Sequence, residues 1–257
     1  MQRYFIKSDQ LVDGHAIITG DDVHHIRDVM RGSVGDRVIL CTCDKESYLA
    51  EIIDLSRMEI KAKVVERKAE NVELPVFVTI SQGITKGDKF ELVLQKATEC
   101  GASEFVPVAM KRSVAKIDEK KADKKVLRWQ KIALEAARQS HRQAVPSVKM
   151  PVDIQGLVAM ADEYDMCLFA YEIGGQTSEV RDRNALAKAI RKFEPEMRIL
   201  VLIGPEGGID QVEVDLLIEA GFIAVGLGPR ILRTETAPIY IMSAISYALE
   251  IEGFDDE

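Results

Sequence analysis

The stretch Arg198-Ile199-Leu200-Val201-Leu202-Ile203 passes without a break into Gly204-Pro205-Glu206-Gly207-Gly208. Further on, Ile223-Ala224-Val225-Gly226-Leu227 passes likewise into Gly228-Pro229-Arg230-Ile231-Leu232-Arg233-Thr234-Glu235-Thr236-Ala237-Pro238. Each begins as a short apolar, β-branched run, which reads as a strand buried on both faces. Each ends in a turn rich in glycine and proline. Between them, residues 211–220 have helical spacing and are stopped by Gly221. A strand, loop and helix followed by the same again is the pattern of an α/β domain built on a parallel sheet. Ligands of such sheets bind beyond the carboxyl ends of the strands. Glycines there let the backbone come close to a ligand. The two loops, 204–208 and 226–238, therefore predict one concave site.

The alternation extends back to about residue 74. Apolar runs at 76–80, 105–109 and 166–170 are separated by helical stretches at 88–100, 123–143 and 184–192. A closing helix spans 236–250. Residues 1–70 differ. Strands are expected at 36–42, 48–55 and 58–66, separated by polar turns. Gly20-Asp21-Asp22 opens a helix over 23–30 that Gly32 stops. This is the pattern of a small β-barrel. The polar segment 68–73 followed by Pro75 divides the chain into expected domains 1–70 and 74–257.

The 257 residues are 47% hydrophobic and 30% charged, a globular composition. No apolar run reaches the roughly 20 residues of a membrane span. Residues 1–9 contain no apolar signal core, so a cytoplasmic location is expected. Cys41, Cys43, Cys100 and Cys167 read as reduced thiols. With four scattered histidines (His15, His24, His25, His141) they show no metal-site spacing, so no metal is expected. The net charge of −8 speaks against a nucleic-acid partner. Residues 107–150, however, hold twelve Lys and Arg against four Asp and Glu. That segment is either a basic face for phosphates or a solvated helix face.

Neither loop matches GxGxxG or GxxxxGK[ST], and both come late in the chain. A nucleotide held there would rest on backbone groups at Gly204, Gly207, Gly208 and Gly228. Its apolar walls would come from Leu202, Leu227, Ile231 and Leu232. The alternative is a pair of tight turns made for packing.

Taken together, the loop strings resemble the SPOUT-class 16S ribosomal RNA uridine-N3 methyltransferases, the RsmE family. The resemblance covers the whole chain. Val23-His24-His25-Ile26-Arg27 with Val29-Met30-Arg31 and Gly35-Asp36 is similar to that family's N-terminal RNA-binding, PUA-like barrel. Lys86-Gly87-Asp88-Lys89, Gln95–Gly101 and Glu135–Ser140 are similar to helices of its catalytic domain. At Arg138 the chain departs from the pattern, which has an acidic residue there. The resemblance implies an α/β fold: an N-terminal PUA-like β-barrel plus a SPOUT-type knotted parallel-sheet domain. It implies S-adenosyl-L-methionine as cofactor, held by Leu202, Gly204, Gly207, Gly208, Leu227, Gly228, Ile231, Leu232 and Thr236. It further implies 16S ribosomal RNA or the small ribosomal subunit as partner, a homodimer through the closing helix, and no membrane.

Methylating uracil N3 requires loss of a weakly acidic proton and stabilisation of the resulting anion. Arg233 is the candidate for that stabilisation, because guanidinium stays charged and donates in a planar fork. Glu206 and Glu235 are candidates for the base or for orienting Arg233. Glu206 reads equally well as a turn residue bonding loop amides, and Glu235 as a carboxylate at a helix start. Arg3, Arg27, Arg31, Arg112, Arg138 and Arg142 are expected to contact RNA. Two alternatives remain: a SPOUT methyltransferase of tRNA, or a non-catalytic ribosome-assembly RNA-binding protein of the same fold.

Overall fold

A computed structural model describes residues 1–115, 119–171 and 184–253. The chain forms two compact units: Met1–Glu73 with Ala137–Val145, and Leu74–Ala136 with Pro146–Glu257.

The first unit contains β1 (Arg3–Ile6), β2 (Leu11–Val12), β3 (His15–Thr19), α1 (Asp21–His24), β4 (Arg37–Thr42), β5 (Ser47–Leu55) and β6 (Glu59–Lys68). The expected barrel is a curled six-stranded sheet in the order β1-β4-β5-β6-β3-β2. β1 pairs with β4 in parallel and the other pairs are antiparallel. β3 shows why one face is buried. Ala16 and Ile18 point inward while His15, Ile17 and Thr19 point out, the two-residue period of a half-buried strand. Tyr4, Ile18, Ile26, Leu40, Ile52 and Ile60 fill the core. The single helix expected over 23–30 is instead one turn of α-helix continued by a π turn, His25–Val29. The chain leaves it through Arg31 at φ 53° and a Gly32 amide bonded to the Ile26 carbonyl at 2.8 Å.

The second unit contains β7 (Phe77–Gly83), α2 (Lys89–Glu99), β8 (Glu104–Ala109), α3 (Glu119–Gln139), β9 (Ser147–Val148), β10 (Val152–Asp153), α4 (Ile154–Ala159), β11 (Met166–Ala170), α5 (Ala185–Ile190), β12 (Arg198–Ile203), α6 (Gln211–Glu219), β13 (Ile223–Val225) and α7 (Thr236–Ser246). The strand order is β10-β8-β7-β12-β11-β13, with β9 beside β8, and every pair is parallel. Strand alternation splits the core in two. Ile199, Val201 and Ile203 of β12 pack with Phe90, Leu94, Trp129 and Ile241 on one face. Leu200 and Leu202 pack with Leu157, Val214 and Leu217 on the other. Each such fully buried aliphatic side chain contributes about 1.5–3 kcal/mol relative to exposure. Helices on both faces leave the carboxyl ends of the strands as the open edge.

Asp210 closes the first turn of α6 in a reciprocal cap with Glu213, and Asp153 caps α4 through the Gly156 amide at 2.8 Å. β9, β10 and α4 are too short to have shown a period in the sequence.

Candidate functional site

β7 and β12 lie side by side, with Gln82 opposite Ile203 at their carboxyl ends. The connections diverge there, since the chain leaves β7 for β8 on one side and leaves β12 for β13 on the other. That is where open α/β sheets bind ligands. The buried Gln82 amide joins the two loops. Its Nε2 donates to Gly204 O at 3.3 Å and to Thr234 Oγ1 at 2.9 Å, and Thr234 Oγ1 donates to Gly204 O at 2.6 Å. The convergence predicted for the two loops is therefore made by two polar side chains. Gln82 was not singled out in the sequence. Its signal was a polar residue ending an otherwise strand-like run.

The glycines serve two purposes. A Cβ on Gly204 would stand 2.8 Å from Ile209 Cγ1, and one on Gly207 would stand 2.9 Å from Arg112 Cβ and O. These two answer to packing. Gly208 and Gly228 sit at φ 73° and 88° and answer to backbone conformation; a Cβ on Gly208 would meet open space, and one on Gly228 would stand in ordinary contact, 3.8 Å from the Tyr240 hydroxyl. Gly83, ending β7, would place a Cβ 2.6 Å from the backbone nitrogen of Pro205.

The apolar residues divide by depth. Leu202 is fully buried in the core and its backbone lies within β12, paired between β7 and β11, so it supports the loop from below and offers no wall to a ligand. Leu227 and Leu232 are half-buried against the core, and Ile231 is 81% exposed. Thr236 is the exposed first residue of α7.

Glu206 Oε1 accepts from the Lys86 amide at 3.2 Å and from Lys89 Nζ at 3.0 Å. Partial burial works against its charged form. Its own amide, Lys89 and the Lys86 amide nevertheless hold its pKa below the ordinary 4.5. Glu235 stands at the start of α7, but its carboxylate makes no capping hydrogen bond. Its Oε2 lies 3.7 Å from Lys89 Nζ and is buried without a hydrogen-bond partner among the described residues. Arg233 is exposed. Its carbonyl accepts from the Thr236 and Ala237 amides, and its guanidinium is uncommitted among the described residues. Lys89, first residue of α2, was quoted in the sequence only as part of a resemblance.

The six arginines expected at RNA fall into different settings. Arg31 is exposed. Arg27 is held by Asp28 at 2.7 Å, and Arg3 reaches the Arg142 carbonyl at 3.4 Å. Arg112, in the second unit, bonds Asp210 at 3.2 Å and Gly207 O at 3.4 Å. Arg138 pairs with Asp22 and lies over the Tyr4 ring. Arg142 departs from expectation. It is 4% exposed and its guanidinium pairs with Glu73, which also accepts from the Gln143 and Ala144 amides. That side chain is spent inside the first unit and offers no surface to a phosphate. Of the adjacent histidines, His25 shares a hydrogen bond of 3.0 Å between its Nδ1 and the Tyr4 hydroxyl, and His24 is exposed.

A family model of an RNA methyltransferase domain matches residues 72–246, and one of an RNA methyltransferase PUA domain matches 18–65. Ribosomal RNA small subunit methyltransferase E of Bacillus subtilis is 44% identical over 98% of both chains. The same-named protein of Neisseria gonorrhoeae, solved bound to S-adenosyl methionine, superposes with a TM-score of 0.80. It is 27% identical over 96% of this chain and 98% of that one. A Legionella pneumophila methyltransferase solved with bound cofactor SAM gives a TM-score of 0.79 at 27% identity, over 96% and 97% of the two chains. A curled sheet matching a PUA domain, with a parallel sheet whose loops converge at one edge, makes this an RNA methyltransferase. Within that class, the chain belongs to the ribosomal RNA small subunit methyltransferase E family.

Proposed function

We propose that this protein transfers the methyl group of S-adenosyl-L-methionine to N3 of one uridine in 16S ribosomal RNA. The cofactor and the rRNA substrate class follow from the family and its cofactor-bound members. The residues present fit the cofactor. The exposed Ile231 with half-buried Leu227 and Leu232 offers apolar surface for an adenine, and the exposed Gly228 offers backbone polar groups. When bound, S-adenosyl-L-methionine supplies an electrophilic methyl on a sulfonium.

The observation that carries the N3 reading is the uncommitted guanidinium of Arg233, adjacent in the second loop to Thr234, which ties that loop to the first at the sheet edge. Loss of the N3 proton leaves negative charge shared with the uracil carbonyl oxygens. A pre-placed guanidinium stabilises charge that appears only as the reaction proceeds. Of the two carboxylates at the site, Glu235 keeps an oxygen without a hydrogen-bond partner among the described residues and is the better placed to receive the proton, whereas Glu206 is held by Lys89 and the Lys86 amide and is the weaker base. Arg31, with Arg3 and Arg27, marks the RNA-facing side of the first unit, and Arg112 marks that of the second.

The same reading makes the protein a cytoplasmic homodimer. Tyr240 of α7 and the following Tyr247 and Ile251 are exposed and would be covered by a second copy. It also includes a knotted course for the C-terminal segment. Methyluridine mapping by mass spectrometry tests the function. Ribosomal RNA from cells lacking the protein should miss one N3-methyluridine, and the purified protein with S-adenosyl-L-methionine should restore it. A full complement of methyluridine in those cells refutes the reading. Sedimentation tests the dimer.

A further inference from the structure

We propose that Lys89 is a positioning residue that ties the two cofactor loops together through their carboxylates. The inference rests on the cofactor reading above and names a residue that reading does not use. Lys89 Nζ stands 3.0 Å from Glu206 Oε1, in the loop after β12, and 3.7 Å from Glu235 Oε2, in the loop after β13. No other cation is paired with either carboxylate among the described residues.

The placement of Lys89 runs against local preference. A lysine in the first turn of α2 meets the positive end of the helix dipole, where anions are favoured and cations are not. Two carboxylates brought in from 117 and 146 residues away reverse that balance. The same helix start also offers the Lys86 amide to Glu206 at 3.2 Å. A local conflict resolved by long-range partners is characteristic of a functional position.

The link complements the buried Gln82–Thr234–Gly204 link. That one is neutral and joins the loops where they leave the sheet. Lys89 joins their carboxylate-bearing residues. The bridge also divides the two carboxylates. Glu206 is spent on Lys89 and the Lys86 amide, whereas Glu235 keeps an oxygen without a hydrogen-bond partner. Breaking the bridge should release both loops and allow Glu206 to return toward ordinary carboxylate behaviour.

Calorimetric titration of S-adenosyl-L-methionine into the full-length protein tests this, alongside thermal unfolding. Lys89→Met should raise the dissociation constant on the order of tenfold, about 1.4 kcal/mol, with the unfolding midpoint unchanged. Lys89→Arg should restore most of the affinity, because a guanidinium can still reach two carboxylates. Acidification should weaken binding by the wild type as Glu206 becomes protonated, and the Met variant, with no bridge to lose, should show a shallower pH dependence. In a double-mutant cycle, the Lys89→Met effect should shrink when Glu206→Gln is already present. Wild-type affinity in Lys89→Met, or a loss that Lys89→Arg does not repair, overturns the proposal. Failure of the wild-type protein to bind S-adenosyl-L-methionine overturns the cofactor reading and this proposal with it.

Discussion

Arg233 and Arg142 show how differently two arginines can be used. The Arg233 guanidinium is exposed and uncommitted among the described residues, so truncating it should leave the fold intact. Arg233→Ala is expected to lower kcat by about 10²–10³-fold with cofactor affinity unchanged, the usual loss when one stabiliser of developing charge is removed. Steady-state kinetics with isothermal titration would show the split. Arg142 is buried against Glu73, with both side chains 5% exposed. Replacing one partner strands the other charge, which costs about 3–5 kcal/mol in a buried pair. Arg142→Ala should therefore lower stability in denaturant melts by roughly that amount. Burial opposes the ionised form of Glu73, but Arg142 and the Gln143 and Ala144 amides hold its pKa below 4.5. A depressed carboxylate contributes stability that is present above its unfolded value and is lost as pH falls through its folded value. Stability should thus drop below about pH 4.5 in the wild type, and Glu73→Gln should flatten that drop.

At the scale of elements, the site depends on β7 meeting the loop after β12 backbone to backbone. Gly83 has no room for a methyl, because Pro205 N lies 2.6 Å from where the Cβ would be and cannot move without moving the loop. Gly83→Ala is expected to cost about 1–3 kcal/mol, typical of overpacking. It should also weaken cofactor binding, which a melt paired with a titration would detect. A variant with unchanged melting and binding would show that the loop has freedom to shift. The adjoining α6 is held to the segment after β8 by several contacts: Glu213 accepts from the Lys111 amide at 2.8 Å, and Asp210 pairs with Lys111 and Arg112. The loop between Gly208 and α6 is therefore anchored at its far end.

At the scale of the molecule, a chain of net charge −8 has to hold an anionic polymer. Under the proposed function its exposed arginines do so locally, and binding should weaken steeply as counterions compete. Filter binding of 16S rRNA fragments across salt should give a linear log–log fall. Arg31→Ala should lower its slope by about one, as expected for a single lost phosphate contact. Arg142→Ala should act through stability and leave the slope of the folded fraction unchanged. Affinity insensitive to salt would remove the basic-face reading.

The sequence by itself determined the alternation of strands and helices in the second unit, down to the bounds of β11 and β12. It also determined where the loops fall, because hydrophobic period and glycine stops are properties of neighbouring residues. β1 and β3 escaped notice for a related reason. Each mixes polar with apolar residues, unlike the wholly apolar β11, and only their pairing with β4 and β6 marks them as strands. The tertiary structure decided what the site contains. Gln82 meets Thr234 across 152 residues and Lys89 meets Glu206 across 117, distances over which no local pattern carries information. It also decided that Arg142 belongs to the interior. A guanidinium reads the same in a sequence whether it faces phosphate or a buried carboxylate, and only folding brings Glu73 to it.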